Sequence, residues 1–123
     1  MLTALIVDDE PLAREELRLL LQASGCIEVL GECAHALEAL PAIHRLKPDI
    51  LFLDIQLSDG NSFDFLTAAQ PSSLIIFTTA YDQYAIRAFT VNSIDYILKP
   101  VDEKRLLDAI VKYEALKGKD YKQ

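Results

Sequence analysis

Asp49-Ile50-Leu51-Phe52-Leu53-Asp54 is the stretch whose reading decides the fold. Pro48 precedes it, and the apolar run is too short for a stable helix. A short continuous apolar run bounded by breakers and polar residues predicts a strand over Asp49–Leu53, buried on both faces. Burial on both faces is the habit of parallel sheets, and parallel neighbours need crossover connections, usually helical. The sequence on either side supplies them.

Upstream, Leu2–Val7 is short, apolar and rich in strand formers, which predicts a first buried strand. Asp8-Asp9-Glu10-Pro11 leads into a helical pattern with Ala13, Leu17, Leu20 and Leu21 on one face, closed by Gly25. Ile27–Gly31 predicts a second strand whose shortness and Glu28 suit a sheet edge. Ala34–Leu46 predicts a helix with Leu37, Leu40 and Ile43 inward, which Pro41 either kinks or divides. Downstream, Gln56–Ser62 reads as a loop with an Asp59-Gly60 turn, and Phe63–Ala69 as a short helix before Pro71. Leu74–Phe77 predicts the fourth strand, Asp82–Thr90 the fourth helix and Ile94–Leu98 the fifth strand, closed by Lys99-Pro100. Asp102 is placed to cap a last helix with Leu106, Ile110 and Val111 inward. Lys117–Gln123 is polar, a frayed helix end or the start of a linker.

Successive β-α units imply an α/β fold, a parallel sheet covered by helices on both faces. Right-handed crossovers restrict the topology, and the compact solution for five strands is the flavodoxin-like order 2-1-3-4-5.

The 123 residues fit one domain, 51% apolar and 25% charged. A net charge of −7 repels phosphate backbones, which argues against nucleic-acid binding by this segment itself. No apolar run approaches bilayer length, and the opening residues read as a strand instead of a leader, so no membrane association and a cytoplasmic location are expected. Cys26 and Cys33 fall outside any CxxC spacing and are expected as reduced core thiols. His35, His44, Tyr81 and Tyr84 are expected to serve surface or packing roles.

The polar residues carry the functional signal. Asp8 and Asp9 follow the first strand, Asp54 the third, Thr78 and Thr79 follow the fourth, and Lys99 the fifth. In a parallel sheet these positions share the carboxyl edge, where open α/β sheets bind ligands beside the switch point. Carboxylates gathered there repel one another, and a hard divalent cation such as Mg²⁺ resolves the conflict. Thr79 and Lys99 are then placed to bind phosphoryl oxygens. A carboxylate nucleophile beside such a cation can accept a phosphoryl group. Taken singly, each residue has an ordinary explanation, as a helix cap, a solvated charge or a turn residue; the shared edge gives the pattern its meaning.

Leu5-Ile6-Val7-Asp8-Asp9-Glu10, Leu53-Asp54-Ile55, Thr79-Ala80 and Lys99-Pro100 resemble the motifs of the response-regulator receiver domain over about residues 2 to 117. The resemblance implies a receiver domain over 1–117, with 118–123 beginning a linker to an output domain absent from this chain. It implies Asp54 as the phosphoacceptor, Mg²⁺ held by Asp9, by Asp8 mainly through water, by Asp54 and by the backbone carbonyl of Gln56. Thr79 and Ala80 with Lys99 would receive the phosphoryl group, Tyr96 would change rotamer with Thr79, and the bond to Pro100 would be cis. The stretches Thr79–Phe89 and Asp95–Val101 are similar to receivers of LytTR-type regulators, in which a DNA-binding domain follows. The partners so implied are a sensor histidine kinase, DNA only through the missing output domain, and a second copy meeting through the fourth helix, fifth strand and last helix. Such a domain takes part in its own phosphorylation but is not an enzyme with an external product. The alternative is a small aspartyl-phosphate phosphatase or phosphotransferase, but Gln56 stands where the haloacid dehalogenase type needs a second acid.

Overall fold

The computed structural model describes residues 1–69, 71–80 and 93–118. In chain order the elements are β1 (Leu2–Val7), α1 (Pro11–Ser24), β2 (Ile27–Cys33), α2 (Ala36–Leu46), β3 (Ile50–Asp54), β4 (Gln56–Leu57), β5 (Gly60–Asn61), α3 (Ser62–Ala69), β6 (Leu74–Thr79), β7 (Ser93–Leu98) and α4 (Glu103–Gly118). The helix expected over Asp82–Thr90, with Tyr81 and Tyr84, lies outside the described residues.

β2-β1-β3-β6-β7 form a five-stranded sheet, parallel at every pairing. Counted among the strands of this sheet alone, that is the expected order 2-1-3-4-5. β4 and β5 pair with each other as a small antiparallel hairpin, where a plain loop was expected. β2 does lie at an edge, and it runs to Cys33, two residues beyond the predicted Gly31.

Strand alternation sorts the core into two layers. Ala4, Ile6, Ile50, Phe52 and Ile76 pack with Leu17 and Leu21 of α1 and Leu106, Ala109, Ile110 and Tyr113 of α4. Leu5, Val7, Leu51, Leu53, Ile75 and Phe77 pack on the other face with Ala39, Ala42 and Ile43 of α2 and Leu66 of α3. Cys33 is buried in this second layer and Cys26 packs against the first, so the unbonded thiols serve opposite faces. Burial raises the pKa of the Cys33 thiol, which keeps it protonated and inert.

Two helix faces differ from expectation. Leu37 is 80% exposed, and alanines and Ile43 occupy the inner face of α2 while Leu40 is half-buried. The inner face of α2 is rotated toward Ala39 and Ala42, small side chains that carry a weaker hydropathic signal but allow the helix to lie close to the sheet. In α4, Val111 points outward and Tyr113 takes a core position, matching 106, 109, 110 and 113 on one helical face. Pro41 neither divides α2 nor enters the core; it is exposed within one continuous helix, where water can reach the carbonyl that its missing N–H leaves unbonded.

The helix ends follow local chemistry. Pro11 opens α1, and Gly25 closes it at φ 75°, a left-handed conformation that favours glycine. Arg105 N–H donates to Asp102 Oδ2 at 3.0 Å, the cap expected for α4. α2 has no cap from its own His35; the carboxylate of Asp59 at the hairpin tip accepts the N–H groups of Ala36 and Leu37 at 3.0 and 3.2 Å. Those bonds hold the Asp59 carboxyl below its ordinary pKa. At the opposite edge of the sheet Thr3 and Asp49 bond reciprocally, Thr3 N–H to Asp49 Oδ2 at 2.9 Å and Asp49 N–H to Thr3 Oγ1 at 3.0 Å. Among the described residues no helix is long and apolar enough to cross a membrane.

Candidate acidic site at the carboxyl edge of the sheet

β1 and β3 lie side by side, so the ends of both strands deliver their acids to one place. Asp54 is the last residue of β3 and is buried; Asp8 follows β1 and is buried as well. Lys99 follows β7, and its backbone N–H donates to the Thr79 carbonyl at 2.7 Å, which ties the ends of β6 and β7 together.

The Lys99 ammonium sits among the carboxylates, 2.8 Å from Asp8 Oδ2, 2.8 Å from Glu10 Oε1 and 3.1 Å from Asp54 Oδ2. Carboxylate oxygens of Asp8, Glu10 and Asp54 all lie within 4.8 Å of one another. Glu10 is the member that strand-end reasoning missed. It is the N-cap residue of α1 with an extended backbone, and its carboxylate comes back to Lys99 while its N–H donates to Asp8 Oδ1 at 2.9 Å. Asp9 lines the same cleft with Glu10, Asp54, Gln56, Ala80 and Lys99, but it is not one of the clustered three. An adjoining recess between α1 and the Lys99-Pro100 turn is lined by Asp8, Glu10, Leu17, Thr78 and Val101.

The charges answer one another. Burial, against the pull of the Lys99 charge and with repulsion from Asp8, pushes the Asp54 carboxyl up to about 6. Burial opposes the ammonium of Lys99, yet hydrogen bonds to Asp8 and Glu10 and the charges of Asp54 and Asp8 leave its pKa above the ordinary value. Glu10, bonded to that ammonium, is held below the usual carboxylate range. An excess of acid around a single lysine is a set of hard oxygen donors at a spacing one small divalent cation can bridge, so the residues present fit such an ion.

Several supports were not legible beforehand. Arg14 on α1 donates to the Asp8 carbonyl at 2.6 Å and lies 3.4 Å from Glu32 of β2, which also holds Arg18 at 2.9 Å. Oδ1 of Asp54 accepts the Gln56 N–H at 3.3 Å. Thr79 is completely buried at the end of β6, and Tyr96 is half-buried against the layer that contains Phe77. The Lys99–Pro100 peptide bond is cis.

The model of the response regulator receiver domain matches residues 4–111. The chain belongs to that family. The receiver domain is 53% identical over 108 residues to the transcriptional regulatory protein BtsR of Salmonella typhi, a match that covers 86% of this chain and 45% of the relative. The chain thus spans about half the length of the curated relatives it matches. Among solved structures, a CheY-like response regulator receiver domain protein from Methanospirillum hungatei superposes with a TM-score of 0.83 at 26% identity, covering 97% of this chain and 98% of that one. The response regulatory domain of protein mrkE from Klebsiella pneumoniae gives a TM-score of 0.82 at 31% identity, covering 92% and 95%. Over residues 4–111 the chain is therefore a response regulator receiver domain.

Proposed function

We propose that Asp54 is the phosphoacceptor of this receiver domain and that its phosphorylation by a histidine kinase switches a larger regulator. The observation that carries this reading is the position of Asp54 Oδ2 against Lys99 Nζ, at the meeting point of Asp8 and Glu10. With a pKa of about 6, Asp54 is largely ionised at neutral pH and so available as a nucleophile. A carboxylate oxygen of Asp54 attacks the phosphorus of a phosphohistidine; the P–N bond breaks, and the imidazole nitrogen keeps the electron pair and takes up a proton. The ammonium of Lys99 is already in place to pair with the incoming phosphoryl oxygens.

Asp8, Asp9, Asp54 and the backbone carbonyl of Gln56 would hold Mg²⁺, with Glu10 beside them. When bound, that ion supplies positive charge to offset the carboxylates and the phosphoryl oxygens. In this reading Thr79 and Ala80, at and just after the end of β6, would bond the phosphoryl group, and Tyr96 would respond to Thr79. Gln56, being neutral, cannot serve as the acid–base group that the phosphatase alternative requires.

Relatives that this chain matches over about half their length, BtsR among them, are named transcriptional regulatory proteins, which supports an output domain following a linker that begins at residue 118. The similarity of Thr79–Phe89 and Asp95–Val101 to LytTR-type receivers favours a DNA-binding domain of that type. Homodimerisation through the fourth helix, β7 and α4 is the corresponding mode of switching. Incubating the domain with a small acyl phosphate, with and without Mg²⁺, and measuring intact mass tests the central step. One Mg²⁺-dependent phosphoryl adduct, absent in Asp54→Asn, is expected; an adduct that persists in the variant would mean another residue is the acceptor.

A further inference from the structure

We infer that Ser62 is a positioning residue for Asp54, holding the backbone carbonyl of the phosphoacceptor from the far end of its loop. The inference rests on the reading of Asp54 as phosphoacceptor. Beyond Asp54 the chain leaves the sheet, forms the β4–β5 hairpin and returns at Ser62, the first residue of α3. Ser62 is 0% exposed. Its hydroxyl donates to the Asp54 carbonyl and its N–H donates to the Ile55 carbonyl at 2.8 Å.

Ser62 is the first helical residue of α3, one position past the N-cap from which a serine side chain accepts N–H groups of the first turn. Here the hydroxyl donates eight residues back, across the loop. The β1–β3 ladder ends at the pair Val7 and Leu53, so Ser62 grips the backbone one residue past that ladder. With this bond each of the three oxygens of Asp54 has a donor: the carbonyl from Ser62, Oδ1 from Gln56 N–H and Oδ2 from Lys99. Two consecutive carbonyls held by one buried residue fix the rotation of the peptide units from Asp54 to Gln56. That rotation sets both the direction of the Asp54 carboxylate and its reach to the Gln56 N–H.

The test compares Ser62→Ala, Ser62→Cys and Ser62→Thr with the unaltered domain. Three quantities are followed: the initial rate of phosphorylation by acetyl phosphate at saturating Mg²⁺, the urea midpoint, and the ¹³C shift of the Asp54 carbonyl. Losing one buried hydrogen bond at the reacting residue should slow Ser62→Ala by about tenfold. Threonine keeps the hydroxyl and should recover most of the rate. Cysteine keeps the volume with a weak donor and should fall between them even where its urea midpoint is unchanged. Should alanine fail to fold, the cysteine and threonine pair still decides. Folded variants that phosphorylate at the original rate, or rates that follow stability and not donor strength, would overturn the inference. If the unaltered domain takes up no phosphoryl group, the reading of Asp54 falls instead, and an Asp54 carbonyl shift unmoved by Ser62→Ala would overturn the positioning role independently.

Discussion

Replacing Asp54 by asparagine should stabilise the domain when no divalent cation is bound. The carboxyl has been pushed from 3.8 to about 6, chiefly by burial, so the folded protein prefers its neutral form. At 1.36 kcal/mol per pKa unit, the ionised group at pH 8 destabilises the fold by about 3 kcal/mol; solvent screening at the mouth of the site lowers this to about 2 kcal/mol. Asparagine mimics the protonated carboxyl in shape and removes that burden. For a domain of this size the gain is roughly 8 °C in Tm. The direction with pH follows from proton linkage. As pH rises from about 4, the unfolded chain loses this proton first, the folded state binds more protons, and stability falls until the folded group has also ionised near 6. The advantage of Asp54→Asn should therefore be absent near pH 4, grow toward pH 6 and stay level above it. Calorimetry of both proteins in chelator across that range measures it. A variant no more stable than the parent at pH 8, or an advantage independent of pH, would refute the reasoning.

Lys99→Met leaves Asp8, Glu10 and Asp54 facing one another without the ammonium; without divalent cation at pH 8 it should lose about 3 kcal/mol, and Mg²⁺ should raise its Tm more than that of the parent. An unchanged Tm that ignores Mg²⁺ would contradict the arrangement. Asp95, though burial works against its charge, is drawn below the usual carboxylate range by hydrogen bonds from Arg105, Tyr96 N–H and Lys112. Its stabilisation is complete above the ordinary carboxylate pKa and is lost as pH falls through the lower folded value. Arg105→Met should therefore lower urea stability by about 1 kcal/mol at pH 7, and the two urea curves should converge in strong acid. Phe52→Ala, at a completely buried position in the central strand, should lose about 3–5 kcal/mol in the same urea assay.

What the sequence determined by itself was whatever depends on local pattern and connection rules. The buried run at Ile50–Leu53, the alternation of strands with helical stripes, and right-handed crossovers led to the sheet order found here. Because parallel strands share one carboxyl edge, the sequence alone groups Asp8, Asp54 and Lys99, and the Lys99 ammonium lies 2.8 Å from Asp8 and 3.1 Å from Asp54. The rotation of α2 and α4 was less legible, since Leu37 and Val111 outweigh Ala39 and Ala109 in hydropathy although closeness to the sheet selects the smaller residues. Glu10, Arg14, Asp59 and Ser62 were not legible as site supports at all. Each acts through a bond whose partner is set by how elements pack: Glu10 meets Lys99 from 89 residues away, Asp59 caps α2 from 22 and 23 residues away, and Ser62 grips the carbonyl of Asp54. A residue's period and neighbours report which face it occupies, but the direction of a polar side chain depends on what the fold places within about 3 Å, and only tertiary structure decides that.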